Sequence, residues 1–205
     1  MRALALASLM ILAAAGALAV CVDHPRENCP IVINFERGPY RLTGAEAPVT
    51  FDIRASGHPL RIGWTEPGRD HAFLCLDRNG NGRIDDGGEL FGNAVTLQDG
   101  SAAGNGFIAL AELDSNADRI IDDRDDLWPL LLLWRDLNHD GISQPNELTP
   151  VDGSDLAAIG LDHHWTGRQD SSGNAFQYKA EVWMTSGTGH AAPRPVYDIY
   201  FVTAE

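Results

Sequence analysis

The chain is short of basic charge, of cysteine and, beyond its first twenty residues, of long apolar runs. Lys and Arg number 15 against 29 Asp and Glu, for a formal net charge of −14. Such a surface repels polyphosphate and anionic lipid, which argues against nucleic acid and acidic membranes as partners. Cys21, Cys29 and Cys75 are too few, and odd in number, for a disulfide-built scaffold. Cys21 with Cys29 and Cys29 with Cys75 are both open pairings. Cys75 lies in the apolar run Ala72 to Leu76 and also reads as a buried free thiol. The stretch from Asp126 to Arg135 is too short to cross a bilayer. No nucleophile and base stand at an informative spacing, which counts against catalysis.

Residues 1–19 read as a signal peptide. Arg2 supplies the positive start, Leu4 to Leu18 the apolar core, and Ala17, Leu18 and Ala19 a small-residue cleavage site. Residues 20–29 then form a loose arm, and residues 30–205 a single domain. Export to the periplasm or the exterior is expected, with no transmembrane span left after processing. Lipid attachment at Cys21 is the lesser alternative, because Val20 is too large for the position before a lipidated cysteine.

Acidic residues are abundant, and ten of the 29 stand at ligand positions of three short loops. The clearest runs from Asp136 to Glu147 and has the spacing D-x-N-x-D-G-x5-E of a calcium loop. Asp136, Asn138 and Asp140 supply side-chain oxygens. Gly141 takes the sharp bend, Ile142 offers its carbonyl, Gln144 contributes directly or through water, and Glu147 closes the sphere with two oxygens. An earlier loop begins at Asp77 and continues through Asn79, Asn81, the carbonyl of Arg83 and Asp85. Its twelfth position is Gly88, so Glu89, one residue late, is read as the closing ligand. The middle loop holds Asp114, Asn116, Asp118, the carbonyl of Ile120, Asp122 and Asp125. Arg119 stands there in place of glycine, at a cost of about 1 kcal/mol for a left-handed backbone. Asp125 is also shorter than Glu, so this loop is expected to bind more weakly. The loops are numbered one, two and three in chain order, and two or three Ca2+ ions are expected.

The loop starts lie 37 and 22 residues apart. The first interval resembles the distance between paired EF-hands. The second is too short for two full helix–loop–helix units, so shared flanking helices are expected. Elsewhere, Pro30 to Phe35, Val49 to Arg54 and Leu60 to Trp64 read as strands of a small antiparallel sheet. Asn105 caps a helix from Gly106 to Leu113. Pro129 suits the first turn of a short helix, and an extended run near Leu132 to Trp134 is the alternative reading of the segment. Ser154 to Gly160 reads as a helical turn, and Ala175 to Thr185 and Pro195 to Val202 as paired strands. His163 and His164 point apart in extended chain, so that segment is read as a surface loop and not a transition-metal pair. The fold class expected is α+β: a small antiparallel sheet with short helices flanking EF-hand-like calcium loops.

Three blocks occur in order: Phe73 to Gly92, Asn105 to Asn116, and Leu133 to Leu148. Together they resemble the calcium-binding self-processing module of iron-regulated RTX proteins and its exported single-domain bacterial relatives. The likeness covers about residues 29 to 165. It implies pseudo-EF-hand loops ordered by calcium. In the processing modules it also implies calcium-driven cleavage of an Asp-Pro bond at the module's N-terminus, after which the aspartate can join a lysine. Here the matching dipeptide is Cys29-Pro30, and the chain contains no Asp-Pro. The turns from Asn34 to Gly38 and from Asp52 to Ser56 have lost most of the family's acids. The glycine-rich nonapeptide repeats of RTX tails are absent too. The function expected is an exported calcium-stabilised module with a structural or protein-interaction role, its partner an unidentified extracellular or periplasmic protein. Calcium-dependent self-processing or hydrolysis is the disfavoured alternative.

Overall fold

The structure, a computed structural model, describes residues 29–186, 189–190 and 193–204. The signal-peptide, lipidation and N-terminal-arm expectations, and Cys21, lie outside the described residues. Twelve strands are named among them: β1 (Ile31–Asn34), β2 (Val49–Phe51), β3 (Leu60–Ile62), β4 (His71–Cys75), β5 (Ile120–Asp122), β6 (Leu132–Trp134), β7 (Leu148–Pro150), β8 (Leu156–Gly160), β9 (His164–Gln169), β10 (Ala175–Ser186), β11 (Gly189–His190) and β12 (Arg194–Tyr200). Ten form one antiparallel sheet in the order β5-β8-β10-β12-β1-β4-β6-β7, with β9 and β11 also paired to β10, while β2 and β3 form a separate hairpin. The sheet curves into a half-barrel.

This architecture overturns the α+β expectation. The described residues contain one α-helix, α1 (Gly106–Leu110), continued by a 3-10 turn Ala111–Leu113, and a second 3-10 turn at Trp128–Leu130. Strands, not helices, lead into loops one and three, since β4 ends just before Asp77 and β6 just before Asp136. Ser154 to Gly160 is largely strand β8 and not a helical turn, because Ile159 and Val182 pair across it in the sheet. The shared-helix arrangement inferred from loop spacing is corrected in the same way. Asn105 does cap α1, its Oδ1 accepting from Ile108 N at 3.0 Å.

Ile31 to Ile33 of β1 and Ala72 to Cys75 of β4 are apolar without a break because both faces of the sheet are covered there. Along β1, Ile31 and Ile33 join one core cluster while Val32 joins another. Along β4, Ala72 and Leu74 face the first cluster, and Phe73 and Cys75 the second. Phe107 and Leu110 of α1, with Leu113 and Ile121 of the loop-two region, pack into the first. The second is aromatic and lies under the β2–β3 hairpin: Phe51, Trp64, Phe73 and Trp134 stand with ring centroids 4.4 to 5.6 Å apart. Ile84 of loop one and Trp134, at the root of loop three, belong to this cluster. Loops one and three therefore share one side of the sheet, and loop two packs on the other. No helix among the described residues is long and apolar enough to cross a membrane. Cys29 and Cys75 are both free and buried, so they do not pair with each other.

Candidate metal centre

Each of the three loops is wound around its first aspartate. In loop three, Asp136 accepts from the N–H of Asp140 at 3.1 Å and of Gly141 at 2.8 Å. Asp77 accepts likewise from Asn81 and Gly82 at 3.2 and 2.8 Å, and Asp114 from Asp118 and Arg119 at 3.1 and 2.9 Å. The fifth residue then accepts from the seventh: Asn81 from Arg83, Asp118 from Ile120 and Asp140 from Ile142. Such winding needs left-handed backbone at the fourth and sixth positions. These are Gly80 and Gly82 (φ +73° and +81°), Ala117 and Arg119 (+58° and +67°), and His139 and Gly141 (+61° and +72°). Arg119 does adopt the strained conformation that its place in the pattern requires.

The closing acids are held alike. Glu147 accepts from Leu137 N at 2.8 Å and Gln144 N at 3.2 Å, which are the second and ninth residues of its loop. Asp125 accepts from Ser115 and Asp122 at the same two places, at 2.9 and 3.0 Å. Glu89 accepts from Arg78 at 3.1 Å and Asp85 at 2.8 Å, so it fills the closing place despite its one-residue delay. The extra residue is absorbed in a turn at Asp86 to Gly88, where Gly88 N donates to Asp86 Oδ1 and a Cβ on Gly87 would stand 1.9 Å from the Ile53 carbonyl oxygen.

A fourth turn has the same backbone. Asp52 accepts from Ser56 N at 3.1 Å and Gly57 N at 2.6 Å, with Ala55 and Gly57 left-handed (φ +49° and +76°). Its third position is Arg54, so the winding has outlasted the ligands. The Asp and the Gly five residues later were the surviving signal.

The electrostatics of the loops differ sharply. Asp136 and Glu147 are 5% and 2% exposed. Trp64 Nε1 donates to Asp136 Oδ2 at 2.8 Å, and Trp134 Nε1 to Glu147 Oε2 at 3.4 Å. Both donors are neutral. Burial pushes the Asp136 carboxyl above the usual carboxylate range; N–H bonds from Gly141 and Asp140 oppose the rise and the charge of Glu147 adds to it. Glu89 of loop one is also raised by burial, against N–H bonds from Asp85, Asn79 and Arg78. In loop two the Arg124 guanidinium sits among the acids, 2.7 Å from Asp118 and 2.6 Å from Asp122. Burial pushes Asp122 up, but the hydrogen bonds and charge of Arg124 outweigh it and hold the carboxyl below its ordinary value. Arg119 also pairs outward with Asp162. Trp64 carries no signature at loop spacing, and its role appears only when distant strands come together; Arg124 lies within loop two, two residues from Asp122 and six from Asp118.

Among the described residues, no three Asp, Glu, His or Cys side chains converge as a ready metal cluster. Each loop instead mixes carboxylates with Asn amides and a peptide carbonyl. In loop three these are Asp136, Asn138, Asp140, the Ile142 carbonyl, Gln144 and Glu147, an all-oxygen set of the kind hard divalent ions take. Gln144 Nε2 donates to Asp140 Oδ2 at 2.8 Å, while its Oε1 is buried without a partner. An unpartnered buried oxygen beside carboxylates fits the ligand set of a hard divalent cation.

His139 links this loop to the N-terminal segment, its ring nitrogens 3.1 Å from the Thr65 carbonyl oxygen and 3.2 Å from that of Ala47. His163 stacks on Phe107, and His164 opens the exposed strand β9. Far from the loops, Cys29 N donates to Asn93 Oδ1, and the Cys29 thiol lies beside Asp198 and Tyr200. Burial, with the charge of Asp198, pushes that thiol well above its ordinary value.

A family model, the SPM domain, matches residues 31–201. The chain belongs to the SPM domain family. The iron-regulated protein FrpA of Neisseria meningitidis serogroup C is 41% identical over 142 residues, which is 69% of this chain and 13% of FrpA. The expected kinship with iron-regulated proteins is thereby shown. This SPM domain spans a small fraction of that relative.

Proposed function

We propose that this SPM domain is an exported calcium-binding module whose fold the ion completes, with loop three as the principal site. The observation that carries the reading is the pair Asp136 and Glu147. Two carboxylates buried this deeply are strongly unfavourable unless a positive charge joins them. Among the described residues no Lys or Arg ion-pairs with either, and indole N–H groups bring no charge. Bound calcium would supply that charge. The residues do the rest: Asp136 anchors the winding, Asn138, Asp140 and the Ile142 carbonyl line it, Gln144 turns its free oxygen inward, and Glu147 closes it.

Binding to the folded form alone makes binding energy into folding energy. A module ordered this way stays loose where calcium is scarce and becomes rigid where it is abundant. That suits a structural or interaction part of an exported protein. Self-cleavage at Cys29-Pro30 is disfavoured, since the junction lacks the aspartate carboxylate and burial keeps the thiol protonated at neutral pH.

Thermal unfolding of the full chain in excess chelator and in millimolar calcium tests the reading. A calcium-dependent rise in midpoint, reversed by chelator, is expected. Equal midpoints would refute it. Smaller fragments appearing on calcium addition would favour self-processing instead.

A further inference from the structure

We propose that Ser143 couples loop three to loop one, so that an ion held in either loop strengthens the hold of the other. The proposal rests on the calcium reading above. Ser143 is the eighth residue of loop three, and Ile84 the eighth of loop one, 59 positions earlier. The Ser143 hydroxyl, 2% exposed, accepts from Ile84 N at 2.7 Å and donates to the Ile84 carbonyl oxygen at 3.2 Å. One side chain thus grips both polar groups of a residue in the other loop.

The grip is placed where it transmits. In loop one the residue before Ile84, Arg83, donates its N–H to Asn81, and the residue after, Asp85, donates to the closing Glu89. In loop three the neighbours of Ser143 do the same: Ile142 N donates to Asp140, and Gln144 N to the closing Glu147. Tightening either loop around an ion must move the peptides on both sides of its eighth residue. The hydroxyl passes that movement across, and the coupling is reciprocal by linkage. The buried packing of Ile84 against the Trp134 cluster leaves little slack between the loops. Loop two lacks the link. Its eighth residue, Ile121, pairs instead with Ile159 in the sheet.

The test is a calcium titration of the full chain followed by tryptophan fluorescence. This signal is sensitive to loop three, because Trp64 and Trp134 donate to its two buried carboxylates, and Trp128→Phe removes the tryptophan bonded to Asp125 of loop two. Asp77→Asn disables loop one. With Ser143 present, it is expected to raise the fluorescence midpoint about threefold to tenfold, the worth of a lost hydrogen bond or two. In Ser143→Ala the same substitution is expected to move the midpoint less than about twofold. Ser143→Thr, which keeps the hydroxyl, is expected to restore the larger shift. Should Ser143→Ala not fold, Ser143→Cys takes its place, with weaker hydrogen bonds and the same expected reduction. An Asp77→Asn shift of equal size with and without the hydroxyl, or no shift with it, overturns the coupling while calcium binding stands. A wild-type chain silent to calcium in both fluorescence and calorimetry overturns the calcium reading and this proposal with it.

Discussion

Loops two and three share a backbone and differ in how their acids are neutralised. Loop three buries two carboxylates under the aromatic cluster and gives them only N–H donors. Loop two buries only its closing Asp125, leaves Asp114 half-buried and Asp118 exposed, and brings its own cation, Arg124. The same winding can therefore hold buried acids with no cation beside them or acids already paired from within. Position in the fold decides which: loop three lies against the β2–β3 hairpin, and loop two opens to solvent beside β8.

The largest effect that separates them is expected from the closing acids. Glu147→Gln should weaken calcium binding by at least about tenfold and remove most of the calcium-dependent rise in melting temperature, since a buried charged ligand is lost. Asp125→Asn should leave most of that rise in place. Calorimetric titration of both variants checks this, and equal losses would erase the distinction between the loops.

The sixth positions should differ next. A Cβ on Gly141 would stand 2.3 Å from Val49 Cγ1 and 2.8 Å from the Thr50 carbonyl oxygen, at φ +72°. Gly141→Ala should destabilise the protein by about 2–4 kcal/mol, combining backbone strain with overpacking. Arg119→Gly should do the reverse in loop two, relieving strain of about 1 kcal/mol. Urea unfolding in chelator measures both.

Asp198 sharpens the comparison from outside the loops. It is wholly buried with one backbone partner, Gly106 N at 2.9 Å, and burial pushes its carboxyl up to about 6. A folded value above the unfolded one means the protonated form is favoured by folding. Its contribution is fully present below about pH 4 and is lost as pH rises to about 6, amounting to about 3 kcal/mol at most. Wild type should therefore lose stability relative to Asp198→Asn between these pH values in chelator. Parallel curves would show that Asp198 does not hold its proton.

The smallest change expected is in Arg124→Gln. Removing the internal cation should raise loop-two calcium affinity by about twofold to fivefold, a modest gain because the guanidinium is exposed. Unchanged affinity would mean that Arg124 swings away when an ion arrives. Direct titration in a background carrying both Asp77→Asn and Glu147→Gln isolates this site.

Much of the loop chemistry was legible in the chain. Spacing alone located the three first aspartates, the left-handed sixth positions and the closing acids, including Glu89 one residue late. Asn105 and the C-terminal strands were readable for the same reason: capping and strand alternation are local. The fold class was not. EF-hand-like spacing implied helices, but β4 and β6 lead into the loops because their unbroken apolar runs are covered on both faces. Leu156 to Gly160 became a strand through pairing with β10, which no short window of sequence contains.

The sequence by itself determined where an ion's oxygens would come from, because a loop of a dozen residues brings its own ligands within reach whatever surrounds it. Only the tertiary structure decided which acids lie buried without a cation beside them. Arg124 stands within loop two by sequence alone, but the fold placed Trp64 and Trp134 on the acids of loop three and Ile84 against Ser143. The first and last of these contacts join residues from separate strands and loops, so they exist only once the sheet has closed and excluded water, and it is that exclusion of water which makes an unneutralised carboxylate costly.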